Sequence, residues 1–247
     1  MLAAAALRLA AIEALCPTAA VLSGTGFPTL AEHRVYDSVS ISPDDLQSDA
    51  PYTPAISLYT EDTVVRRRGA TATSAIGFAS ADLIIVAELA ELARDEDGKV
   101  ITNPDGSDAT DAVINGDARM RLALEALTSQ VRAVLVRAPS SAGLRRVMKA
   151  ASEIRVQPYA LPGYGVRFMR NVITISAEIA DDRYDDAAGF PEPMRSVAAD
   201  LPAGSYARAE LDRLAAAFRA TTREQLESIG FAPAVNGQAV PGSIIQP

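Results

Sequence analysis

The chain has 247 residues, 49% of them hydrophobic and 22% charged, a balance that supplies a buried core and excludes intrinsic disorder. Its formal net charge of −8 and pI near 4.8 oppose general attraction to nucleic acid, so phosphate binding would need a concentrated basic patch. The single cysteine, Cys16, excludes an intramolecular disulfide and reads as a small buried apolar residue of a chain made in a reducing cytoplasm.

Over residues 2–16 the apolar positions Leu2, Ala5, Leu9, Ile12 and Cys16 recur at threes and fours, with Arg8 and Glu13 off that stripe. This predicts an amphipathic helix that Pro17 ends. The same stretch lacks the basic start of a signal peptide, and its apolar run is broken by those two charges. Elsewhere nothing approaches the roughly 18 consecutive apolar residues of a membrane span. Neither export by a signal peptide nor membrane anchoring is therefore expected.

Gly24, Gly26 and Pro28 predict a loop over residues 19–30, and two short strands should follow at 33–39 and 55–60. The β-branched run at 83–89 predicts a strand buried on both faces. An acidic, glycine-bearing stretch at about 94–117 has the turn chemistry of a long loop inserted in the domain, with a small hairpin at 99–102.

Asp117 is the expected N-cap of a helix whose stripe is Met120, Leu124, Leu127, Val131, Val134 and Leu135, and Pro139 should stop it. Ser140 or Ser141 would cap a shorter helix reaching about residue 151. Strands are expected at 153–157 and 166–179, the second placing Ile173, Ile175, Ala177 and Ile179 on a core face. After Asp181 and Asp182 an irregular stretch precedes a helical region at about 205–229, striped by Leu211, Leu214, Ala215 and Phe218. Residues 232–247 carry no charge and read as an extended arm, with Ile244 and Ile245 as apolar anchors on another subunit. The predicted fold class is α/β (α+β): a twisted mixed or antiparallel sheet flanked by helices over residues 1–182, then a helical extension and arm over 183–247.

Chemistry has few instruments in this sequence. His33 is the one histidine and adjoins a predicted strand, which favours a structural role. Ser205 follows Gly204 but has Ala207 where a nucleophile elbow needs glycine. Gly24-Thr25-Gly26 lacks the third glycine of a dinucleotide fingerprint, and there is no phosphate-binding GxxxxGK[ST] loop. The acidic runs around Gly98 and Gly106 fail the calcium-loop frame at both ends. Adjacency of Asp181 and Asp182 in an acidic chain is no evidence for the carboxylate geometry of a glycosidase. No catalytic residue, cofactor or metal is expected. Two basic clusters, Arg66-Arg67-Arg68 and Arg145-Arg146 to Lys149, lack interleaved aromatics and read as solvated or subunit-bridging faces rather than DNA sites; Arg66, Arg67 and Arg68 are expected to pair with carboxylates of a neighbouring subunit.

The succession of an N-terminal helix, RVYDS, an acidic linker, PAISLYTED, the strand at 83–92, the helix at 122–137 and GVRFMRNVITISAEI resembles the tail terminator family of long-tailed bacteriophages. The likeness is one of layout over roughly the first 180 residues. It implies a homomeric ring, a hexamer, located in the virion at the top of the tail. Such a ring would end polymerisation of the tail tube protein and dock head-completion and neck proteins. DNA would pass through the channel without specific binding. Two other readings stay open at this point, a head–tail connector or stopper and a hydrolase relying on carboxylates alone.

Overall fold

A computed structural model describes residues 1–41, 45–46, 52–67, 77–92, 110–112, 118–137, 142–161, 166–184, 190–220 and 223–230. The expected insertion loop and its hairpin, the caps at Asp117, Ser140 and Ser141, and the arm at 232–247 lie outside the described residues, apart from one short strand within the insertion.

Six strands form one sheet: β1 (Val35–Asp37), β2 (Thr53–Arg67), β3 (Gly77–Leu92), β4 (Thr110–Ala112), β5 (Met148–Leu161) and β6 (Val166–Ile179), in the order β1-β2-β3-β6-β5. β1 runs parallel to β2 and every other pairing is antiparallel, so the sheet is mixed, as expected for an α+β chain. β2 holds one flank of β3 as far as Ala90, and β6 leaves the other flank after Arg170. β4 therefore takes up that second flank at residues 90–92.

The alternation expected for β6 is observed: Ile173, Ile175, Ala177 and Ile179 are buried, and Thr174, Ser176 and Glu178 are half-buried on the opposite face. β3 corrects the expectation of burial on both faces. Leu83, Ile85, Ala87 and Leu89 are fully buried, whereas Asp82, Ile84 and Val86 are only half-buried. The packed helices lie on one side of the sheet, where α1 (Leu2–Leu15) meets β1, β2, β3 and β6, and α3 (Ala118–Arg132) meets β3 and β6.

α1 is the largest correction. Its buried positions, Ala3, Ala4, Ala6, Leu7, Leu9, Ala10, Ala11, Ile12 and Leu15, run round its whole circumference rather than along one stripe. The sheet covers one side, while α4 (Ala142–Val147), α5 (Met194–Asp200) and α6 (Tyr206–Arg219) cover others. Alanines make this possible, because a small side chain lets a neighbouring backbone approach. A Cβ added at Gly143 would stand 4.0 Å from that of Ala10. Leu2–Ser23 is long and apolar enough by composition to cross a membrane, but here α1 and α2 (Thr18–Ser23) are separate helices around Pro17, and α1 is enclosed by its own domain.

Side chains from distant residues close the ends of α1. Asp182 accepts hydrogen bonds from the backbone N–H groups of Leu2 (3.0 Å) and Ala3 (2.7 Å), supplying acceptors and negative charge to the positive end of the helix. Glu13 accepts from both the N–H and the hydroxyl of Thr18, which makes α2 a helix where a loop was expected. Arg8 reaches Asp37 at 2.6 Å and Thr60 at 3.0 Å, tying α1 to the first two strands.

Of the expected stripe, Leu124, Leu127 and Val131 are buried on α3 and Met120 is half-buried; the helix ends in a π-helical turn at Ala133–Arg137, where Val134 and Leu135 are buried. α4 stops at Val147 and β5 begins at Met148, so the helix predicted to reach residue 151 is shorter and the strand after it longer. α5 was not anticipated. Ser205 caps α6 by accepting from the Arg208 N–H at 3.1 Å, and α7 (Arg223–Ser228) follows. Ala207, Leu211 and Ala215 are buried on α6, whereas Phe218 from the expected stripe is exposed. Met194, Val197, Leu201 and Leu211 join the same hydrophobic cluster as α1 and the sheet, so the segment after Asp182 shares the core of the segment before it.

Candidate subunit interface

Both lateral edges of the sheet present backbone and side chains outward. β1 pairs only with Ile56, Ser57 and Leu58, so β2 has no outer neighbour over residues 59–67 among the described residues. A bulge interrupts its pairing with β3 between Glu61 and Val64, and Asp62 there takes φ 41°, a left-handed conformation that Asp tolerates better than most residues. The bulge leaves Glu61, Asp62, Val64, Val65 and Arg66 exposed, with the two valines 43% and 47% accessible.

β5 forms the other edge, paired among the described residues only with β6. Its ladder shifts register at three places, leaving a regular stretch between Glu153 and Pro158. Bulges and charges of this kind discourage indiscriminate strand addition, so contact at either edge must be carried largely by side chains. Val156 and Tyr159 are 38% and 41% accessible along it.

The two edges differ in charge: the free stretch of β2 balances Glu61 and Asp62 against Arg66 and Arg67, whereas the other edge is basic. From Glu32 to Asp62 the sequence has seven acidic residues and one arginine, Arg34, which is buried and engaged with Pro54 and Glu32. From Arg119 to Arg170 it has ten basic residues and two acidic ones. Of these, Arg132 and Arg137 on the α3 side, Arg145 and Arg146 on α4, and Lys149 and Arg155 on β5 itself flank the second edge, all exposed. Part of this charge is already paired, Arg146 with Asp200 at 2.6 Å and Arg155 with Glu153 at 2.7 Å. An acidic chain thus has one strongly basic flank, which the overall balance of −8 conceals.

A groove of about 380 Å³ lies on that flank between the end of α3 and β5, lined by Ser129, Arg132, Ala133, Val136, Arg137 and Ile154. The π-helical turn shapes it, since the extra residue in the turn shifts Val136 and Arg137 relative to the preceding helix.

Of the interface residues expected from sequence, Arg66 is exposed near the end of β2 and Arg67 pairs through its backbone with Gly77. Arg68, Ile244 and Ile245 lie outside the described residues. Of the basic flank of β5, the sequence pointed to Arg145, Arg146 and Lys149 but not to Arg132, Arg137 or Arg155, and the groove was missed; the signal for them was the clustering of charge over residues 119–170. His33 is exposed with its ring 6.3 Å from that of Phe27. Asp182 is engaged by α1, and Asp181 accepts from the Asp182 N–H. Among the described residues no three metal-ligating side chains come together.

Cys16 is 2% exposed, and burial, reinforced by the nearby Glu13 carboxylate, pushes its thiol up to about 12. A thiolate-directed reagent at pH 8 is expected to leave the native protein unmodified and to label one thiol per chain after denaturation. Native labelling at the rate of a free thiol would contradict that environment. The chain matches no model of a known protein family and none of the curated proteins with which it was compared.

Proposed function

We propose that this chain is a structural subunit of a long-tailed bacteriophage particle, a tail terminator that closes into a ring at the head-proximal end of the tail. The layout resemblance supplies the family, and the observation that supports assembly is the pair of open sheet edges, one basic and the other carrying the exposed Glu61 and Asp62 at its bulge. Such edges favour a head-to-tail contact, in which each subunit uses one edge toward its neighbour and the other edge toward the next. A contact of that type makes a ring when the rotation between neighbours closes, and a filament when it does not. Six copies require a rotation of 60° at each contact. In this reading the ring ends tube growth and offers its outer surface to neck proteins, and its work is recognition rather than catalysis.

Native mass spectrometry and negative-stain imaging of the purified chain, alone and with tail tubes, test this. A closed ring of six that seats on tube ends and stops their elongation is the expected result. Because the edges attract through exposed charges, the ring should also loosen as salt rises from 0.1 to 1 M, where screening shortens from about 10 Å to about 3 Å. A protein that stays monomeric in both conditions would refute the assignment.

A further inference from the structure

We propose that the groove beneath the π-helical turn is the socket for the β2 bulge of a second copy of this chain. The inference rests on the ring reading only in taking the second copy to be the adjacent subunit. Socket and knob are each built at a backbone irregularity, one in the helical turn Ala133–Arg137 beside Ile154 of β5 and the other at the break between Glu61 and Val64 on β2. Their chemistry is complementary. Arg132 and Arg137 have no ion pair among the described residues, and neither do Glu61 and Asp62. Beside the charges, each partner carries exposed β-branched apolar surface: Val136, 40% accessible, stands with Ile154 at the groove, and Val64 and Val65 follow the bulge.

Charge sets the pairing and the valines add area removed from water. Guanidinium groups are well suited to carboxylates because they donate two parallel hydrogen bonds in a fixed fork. Glu61 is the last paired residue before the bulge and Asp62 lies within it, and both are exposed. One socket and one knob per subunit, on opposite edges of a single sheet, give a contact that every copy makes in both directions.

Charge exchange across the contact tests this on the full chain. The first variant, Arg132→Glu with Arg137→Glu, destroys the socket and keeps the knob. The second, Glu61→Lys with Asp62→Asn, destroys the knob and keeps the socket; Asn is chosen because it also tolerates positive φ. Each alone should lose self-association by at least about tenfold in sedimentation velocity while unfolding at the wild-type temperature. Mixed together, they should associate again, the native knob of the first meeting the native socket of the second and the reversed knob of the second meeting the reversed socket of the first. Combining all four substitutions in one chain should restore part of the assembly.

Wild-type assembly by the first variant would overturn the socket while leaving the ring reading intact. Failure of the mixture to associate would show that the knob is not its occupant. Unchanged assembly accompanied by loss of binding to a DNA duplex would make the groove a phosphate site instead. If the wild-type chain itself never assembles, alone or on tail tubes, socket and ring reading fall together.

Discussion

Ile12→Ala and Ala10→Leu, which change side-chain volume in opposite directions within α1, are both expected to destabilise the fold. Ile12 is 1% exposed, and truncating it leaves a cavity among side chains from the sheet and the surrounding helices, a loss of about 2–5 kcal/mol. Ala10 is 3% exposed and lies close to Gly143, so three added carbons must displace α4, at a cost of about 1–3 kcal/mol. Leu22, 84% exposed on the neighbouring helix, is the control, and its truncation should stay within about 0.5 kcal/mol of wild type. Thermal unfolding reads all three. If Ala10→Leu were silent, that side of α1 would face solvent, as a stripe of Leu2, Ala5, Leu9, Ile12 and Cys16 would have it.

That stripe shows where periodicity misleads. In an alanine-rich helix nearly every phase of the 3.6-residue repeat is apolar, so a stripe can be drawn at will, and only the neighbours reveal which sides are covered. α3 was legible because Arg119, Arg121, Glu125 and Arg132 leave a single apolar phase. β6 was legible for the same reason at period two, its polar Thr174, Ser176 and Glu178 marking one face. The lengths of β2 and β5 were not, since both extend into polar stretches where pairing with β3 and β6 overrides weak local preference. α5 escaped notice because its seven residues are too few to show a period.

The candidate interface was legible in part. Sequence pointed to charge at subunit contacts and to Arg66, Arg67 and Arg68 as its carriers, because consecutive arginines are conspicuous. The larger asymmetry is spread over some fifty residues and becomes a surface only when α3, α4 and β5 are brought to one edge. The groove had no local signature at all. A π-helical turn depends on how Ala133–Arg137 packs, and no residue type there announces it.

The buried pair on the opposite face of the sheet gives the second large expected effect. Glu88 on β3 is 3% exposed, and the Nε of Arg170 on β6 donates to its carboxylate at 2.7 Å, with a second guanidinium nitrogen on the same oxygen. Arg170 also stands 5.8 Å from the ring centre of Tyr159 on β5, so one side chain links β3 to the edge strand of the candidate interface. Arg170→Met keeps the length of the side chain and strands the carboxylate. Breaking a fully buried pair costs about 3–5 kcal/mol; the Arg170 side chain is one-third accessible, so water compensates some of that and about 2–4 kcal/mol is expected. For a chain of this size the loss lowers the unfolding temperature by about 4–16 °C. Most of it should return in the double variant Glu88→Gln, Arg170→Met, because the neutral amide no longer needs a cation. The four proteins of this cycle separate the pair from its parts. A double variant as unstable as Arg170→Met would assign the loss to packing against Tyr159, and an Arg170→Met variant as stable as wild type would mean that Glu88 reaches solvent.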